Sequence, residues 1–240
     1  MRIPLTKYGL PQAAVFPAIL IAAMAIYYGV ADRFFLPACG CPISAFMVLW
    51  LPEIVLLIVL GWVFSFFRDP HRVIVNDPSL LLSPADGTIA AIETMPSYPG
   101  FEGPVLRIEI FLSIFNVHIN RTPCPVRIGQ LTYKPGKFLD ARSPECSKVN
   151  EANEIEMFRL DEPKDRLYVR QISGAIARRI VCQAKTGQQY PAGAQFGMIK
   201  FGSCTELYAP ARESLQCTVK KGDNVKAGLT VLARYDHAAR

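Results

Sequence analysis

Three side chains that together can activate a hydroxyl are spread along the chain: Asp86 in "SPADGTI", His118 in "FNVHINRTP" and Ser203 in "FGSCTEL". A carboxylate, an imidazole and a hydroxyl are the orienting group, base and nucleophile of nucleophilic catalysis. Each also has an ordinary structural reading. Asp-Gly is a common turn pair, a histidine in an apolar strand can be a hydrogen-bonded core residue, and a serine after Gly202 can simply be small. A serine hydrolase is one chemistry for the set, but no G-x-S-x-G elbow is present. The Gly202-Ser203 step permits another. Gly202 has no Cβ, so its carbonyl can be approached closely and its peptide bent at low cost. Ser203 Oγ can then attack that carbonyl and move the acyl group from nitrogen to oxygen. The other two histidines, His71 and His237, lie outside these motifs.

The elements that must position these residues read as short strands. "LLLSPADGTIAAIE" predicts strand, turn at 84–87, strand. "GPVLRIEIFLSIFNVHINRTPCPVRIGQLTY" predicts two or three strands broken at Pro123 and Pro125, with His118 inside one of them. Arg107 and Glu109 alternate with Leu106, Ile108 and Ile110, so one face there is wet. Further strands are expected in "EIEMFRL", "RLYVRQISGAIARRIVCQ", "MIKFGSCTELYAP" and "LQCTVKKGDNVKAGLTVLARY", although "ISGAIARRIV" also suits a short helix. "VKKGDNVKAGLTVLA" has the turn pattern of lipoyl-like β-sandwich hairpins, and "SPADGTIAAIE" resembles the matching half. The expected fold is a β-rich (α+β) catalytic domain with lipoyl-like β-sandwich elements, over residues 68–240.

Residues 1–67 have a different composition. Hydrophobic residues make up 51% of the whole chain, and two apolar runs concentrate them. The first, 13–31, carries no charge; the second, 46–67, is interrupted by Pro52-Glu53. Both are long enough to cross a bilayer, which predicts an N-terminal transmembrane helical hairpin with a loop over 32–45. Arg2 and Lys7 before the first run and Arg68 and Arg72 after the second predict cytoplasmic ends. From Arg68 onward there are 23 Lys/Arg against 18 Asp/Glu, a mild excess suited to an anionic lipid surface. No basic run with interleaved aromatics points to nucleic acid. The seven cysteines include Cys39 and Cys41 in the loop, and no spacing typical of a zinc site; none of the motifs predicts a metal.

Six segments in order, "FFRDPHR", "SPADGTI", "FNVHINRTP", "YKPGKFLDA", "NEANEIEM" and "GMIKFGSCTELYAP", resemble the short-form phosphatidylserine decarboxylases, a pyruvoyl-enzyme family. The resemblance spans about residues 60–235. It implies a self-processing proenzyme cut between Gly202 and Ser203. The products would be a large chain, 1–202, and a small chain, 203–240, held as a heterodimer, with a higher oligomer left open. By the resemblance, His118 oriented by Asp86 is the base, and Ser203 becomes a covalent pyruvoyl group that forms a Schiff base with a membrane phospholipid. The implied reaction turns phosphatidylserine into phosphatidylethanolamine and carbon dioxide at the inner membrane, with the catalytic part on the cytoplasmic face. Two departures stand out. Cys204 follows Ser203 where the family commonly has Thr or Arg, and Phe115 stands where long-form members carry a second histidine. The same chemistry on archaetidylserine or a related serine-headgroup lipid is a competing expectation. A non-catalytic, membrane-tethered lipoyl-like module is another.

Overall fold

The computed structural model describes residues 5–38, 41–143, 145–175, 179–200 and 202–236. Cys39, Phe201 and His237 lie outside them. Contacts divide the chain into two compact units, Met1–Pro70 and His71–Arg240.

The first unit is a pair of helices, α1 (Leu10–Val30) and α2 (Pro42–Phe66). Each has a proline in its opening turn, where the missing N–H is not needed. The expected 32–45 loop is shorter than predicted. No proline or glycine lies between Asp32 and Leu36, and the chain continues from α1 through a wide π-helical turn over Ala31–Phe35. Pro42 then starts α2 inside the predicted loop. At 1.5 Å per residue, α1's 21 residues extend about 31 Å, close to the ~30 Å hydrocarbon core of a bilayer. Both helices are long and apolar enough to cross a membrane. Their outward side chains, such as Ile19, Ile26, Ile43 and Ile58, are exposed. Tyr27 Oη donates across the pair to the Val48 carbonyl.

The second unit is β-rich. Its strands are β1 (Leu80–Leu82), β2 (Gly87–Met95), β3 (Val105–Leu112), β4 (Ile119–Arg121), β5 (Val126–Lys134), β6 (Ala152–Arg159), β7 (Arg166–Ser173), β8 (Arg179–Cys182), β9 (Gln189–Tyr190), β10 (Gln195–Lys200), β11 (Ser203–Pro210), β12 (Leu215–Cys217), β13 (Asn224–Val225) and β14 (Val231–Tyr235). A one-turn helix, α3 (Cys146–Val149), precedes β6. The main sheet runs β13-β2-β3-β11-β7-β6-β5-β9, and two small sheets run β4-β10-β8 and β1-β14-β12. The recorded pairings between these strands are antiparallel.

The alternation read in 106–110 is realised in β3. Ile108, Ile110 and Leu112 enter the core with Val169, Leu207 and Phe196, each such burial contributing about 1.5–3 kcal/mol. The opposite face carries Arg107, Glu109 and Glu206, with Arg107 Nε donating to Glu206 at 2.9 Å. "RLYVRQIS" is strand β7, and 179–182 is strand β8. The helical alternative is therefore wrong for these residues: pairing β7 between β6 and β11 uses backbone groups a helix would keep to itself. The two segments read as lipoyl-like halves do pair, with Gly87 opposite Val225 and Thr88 opposite Asn224. Gly222 and Gly228 adopt positive φ in the expected turns.

Candidate active site

Ser203 is the first residue of β11, a central strand of the main sheet. It is paired with Leu112 of β3 on one side and Ser173 of β7 on the other. The chain reaches it from β10, which belongs to a different sheet. Gly202, just before it, has φ +56°, a left-handed conformation that costs other residues about 1–2 kcal/mol. Its carbonyl lies under Gly174. A Cβ built on Gly174 would sit 2.2 Å from Gly202 O, so only glycine leaves that oxygen its place. Ser203 Oγ is fully buried and has no hydrogen-bond partner among the described residues. A buried hydroxyl without a partner costs about 1–3 kcal/mol, and such groups call for an explanation.

His118 arrives at the same corner by two routes. Six residues before it, Leu112 is the ladder partner of Ser203. The turn Ser113–Asn116 then reverses the chain, closed by Asn116 N–H to Ser113 O at 2.9 Å and by Asn116 Oδ1 accepting from Ser113 N and Oγ at 2.8 Å. On its other side, the His118 carbonyl accepts from Ile199 N–H at 3.2 Å, three residues short of Gly202. His118 is therefore not within a strand, as the sequence predicted. It lies just before β4, because the Asx-type turn at Asn116 ends the regular pairing of β3 first. The ring is fully buried, and Nδ1 lies 3.0 Å from the Asn116 carbonyl. A carbonyl only accepts, so Nδ1 carries the proton, and in the neutral ring Nε2 holds the lone pair a base requires.

Asp86 ends the turn predicted at 84–87, and its carboxylate is held elsewhere. Arg72 grips it through two bonds, at 2.6 and 2.7 Å, and Ala227 N–H donates to it at 2.8 Å. The imidazole proton at Nδ1 goes to a backbone carbonyl, not to this carboxylate. The Asp86 turn touches β4, the strand that follows the histidine, through the backbone: Arg121 N–H donates to Pro84 O at 2.9 Å.

Sequence reading missed the groups that lock β4 against β11. Asn120, two residues after His118, donates to Thr205 Oγ1 at 3.0 Å, and Thr205 is two residues after Ser203. Gln171 Nε2 donates to Asn120 Oδ1 at 2.9 Å, and Asn153 donates to Gln171 at 3.2 Å. All four residues are buried. Such a satisfied polar chain holds a single register. The available signal was Asn120 itself, an amide in a fully buried strand that had to find partners.

The arrangement can deliver a buried hydroxyl to the carbonyl of its own preceding residue, at a corner where the chain also brings an imidazole able to act as a base. The family model described as phosphatidylserine decarboxylase matches residues 59–233. A phosphatidylserine decarboxylase proenzyme of Carboxydothermus hydrogenoformans is 42% identical, covering 80% of this chain and 88% of that protein. Proteins of the same name from Pelagibacter ubique and Rhodopirellula baltica are 41% and 37% identical. They cover 74% and 83% of this chain, and 82% and 89% of their own lengths.

Proposed function

This chain belongs to the phosphatidylserine decarboxylase family, and from that premise we propose how its residues make and use the catalytic group. The enzyme converts phosphatidylserine to phosphatidylethanolamine and carbon dioxide. It is made as a proenzyme that cuts itself between Gly202 and Ser203. Ser203 Oγ gives its proton to His118 Nε2 and bonds to the Gly202 carbonyl carbon. The bond from that carbon to the Ser203 nitrogen breaks, and the nitrogen takes the proton back. Loss of the Ser203 Cα proton then expels the Gly202 carboxylate. Water displaces the nitrogen as ammonia and leaves a pyruvoyl group at residue 203.

The observation that carries this reading is the buried, unbonded Ser203 Oγ, next to a left-handed glycine whose carbonyl only Gly174 could accommodate. A hydroxyl kept for structure would have a partner. The pyruvoyl ketone supplies an electrophile for the lipid's amine and a sink for the electrons released with carbon dioxide. His118 stays in the large chain and is the proton donor at the substrate carbon. The Asn116 carbonyl fixes its tautomer. Asp86 acts at one remove, by holding Arg72 and the turn that supports β4.

After cleavage the small chain starts at β11, between β3 and β7 of the large chain. Its later strands β13 and β14 pair with β2 and β1. That interleaving supports a heterodimer that survives the cut. The helix pair anchors the large chain in the inner membrane as a hairpin, with His71–Arg240 on the cytoplasmic face. The reading is tested on a denaturing gel. The purified protein should give two chains divided between residues 202 and 203, and Ser203→Ala should give one. Fragments from the Ser203→Ala protein would overturn the assignment of the nucleophile.

A further inference from the structure

Cys204 follows the processed serine, yet its side chain faces away from the core that receives Ile108, Ile110 and Leu112. Its ladder partners are Phe111 and Ile172, and Cys146 and Ala141 pack in the same cluster. There Cys204 Sγ lies 3.1 Å from the Ala141 carbonyl, and Cys146 Sγ lies 3.3 Å from the same oxygen. Glu109 Oε1 is 3.8 Å from Cys204 Sγ. The two sulfurs and a Glu109 oxygen all fall within 4.8 Å of one another. A tetrahedral zinc ion with Zn–S of about 2.3 Å and Zn–O of about 2.0 Å puts its ligand atoms roughly 3.5–3.8 Å apart. Shifts of about 1 Å or less would therefore close the three onto one ion.

The surroundings suit a cation of that kind. Arg107 pairs with Glu109 Oε2, which leaves Oε1 to face the thiols and fixes the carboxylate as outer-shell partners do. Both thiol protons leave as the ion binds. A cavity of about 290 Å³ lies against Glu109, with Phe111, Ala141, Arg142 and Lys221 also in its lining. Arg142 at this cavity is paired with Asp140 at 2.6 Å.

We infer that Glu109, Cys146 and Cys204 form a binding site for a soft or borderline divalent cation of the zinc class. The site itself does not depend on cleavage. Its consequence does rest on the proposed processing: Glu109 and Cys146 belong to the large chain and Cys204 to the small one. A bound ion would tie the two chains together one residue from the pyruvoyl group.

The experiment uses the full-length enzyme in detergent, carrying Cys39→Ser and Cys41→Ser so that the pair between the helices contributes nothing. The protein is equilibrated with Cd²⁺, freed of excess and analysed for bound metal and for thiolate-to-cadmium absorbance. Cys146→Ser and Cys204→Ser should each lose one Cd²⁺ per chain relative to this parent, while Cys217→Ser should lose none. In the parent itself, Cd²⁺ should slow alkylation of Cys146 and Cys204, mapped by mass spectrometry, at least tenfold. This second readout stands even where a variant fails to fold. The uncleaved Ser203→Ala protein should keep the site, which separates failure here from failure of the processing mechanism. Equal cadmium content in parent and both serine variants, or unprotected Cys146 and Cys204, would overturn the inference. Large and small chains joined on a non-reducing gel would also overturn it, by showing a disulfide where the metal should be.

Discussion

At the residue scale three close relationships carry the chemistry: Ser203 with the carbonyl before it, His118 with the Asn116 carbonyl, and Gly174 with Gly202. His118→Ala removes the base, and positioned general bases contribute about 10²–10⁴-fold. The folded variant should therefore mature at least a hundredfold more slowly, followed as large-chain formation over time. Normal maturation would return His118 to a packing role. Gly174→Ala asks a different question. Its methyl group would collide with Gly202 O, 2.2 Å away, and push that carbonyl off the line of attack. The variant should fold and accumulate as proenzyme, with Ser203 intact and His118 in place. Cleavage at the normal rate would mean the carbonyl need not sit where it does.

At the element scale the site is the corner where β10 leaves one sheet and β11 enters another. The strand–turn–strand at 80–95 and the alternation of β3 were legible because apolar period and turn residues sit close together in sequence. Asp86, His118 and Ser203 were legible as residue types, and the resemblance supplied their roles. What could not be read was which carboxylate or carbonyl each would meet. Arg72 and Asp86 are fourteen residues apart, and Arg72 lies in a stretch with no periodicity to predict its direction. Gly174 becomes informative only once β7 and β11 are paired. Asn116 looked like strand, although its side chain ends that strand. The same long-range logic hid the Glu109–Cys146–Cys204 cluster, whose members come from three separate elements. The Arg72–Asp86 pair is buried, with side-chain exposures of 5% and 10%. Removing one partner of such a pair costs about 3–5 kcal/mol. Asp86→Ala should therefore lower the Tm of the unprocessed Ser203→Ala chain by roughly 10 °C, and slow maturation in the wild-type background. Lost maturation with an unchanged Tm would show that Asp86 acts on the chemistry directly.

At the scale of the whole molecule, two claims meet: the helix pair holds the enzyme in a membrane, and the chain becomes two without falling apart. Cys41, exposed beside α2, and Cys217, exposed in β12, report on the first. An impermeant thiol reagent added outside intact cells should label Cys41 and spare Cys217, and the reverse pattern would invert the topology. The new chain begins at residue 203, inside the main sheet. The most direct measurement is the mass and chemistry of that terminus. The small chain should be lighter than residues 203–240 with an N-terminal serine by one ammonia, and should resist Edman degradation. Treating the enzyme with a hydride reductant and phosphatidylserine should fix the lipid amine on residue 203 as a secondary amine, with activity falling in step. An active enzyme whose residue 203 is an ordinary serine, or a lipid adduct mapped to any other residue, would contradict the account.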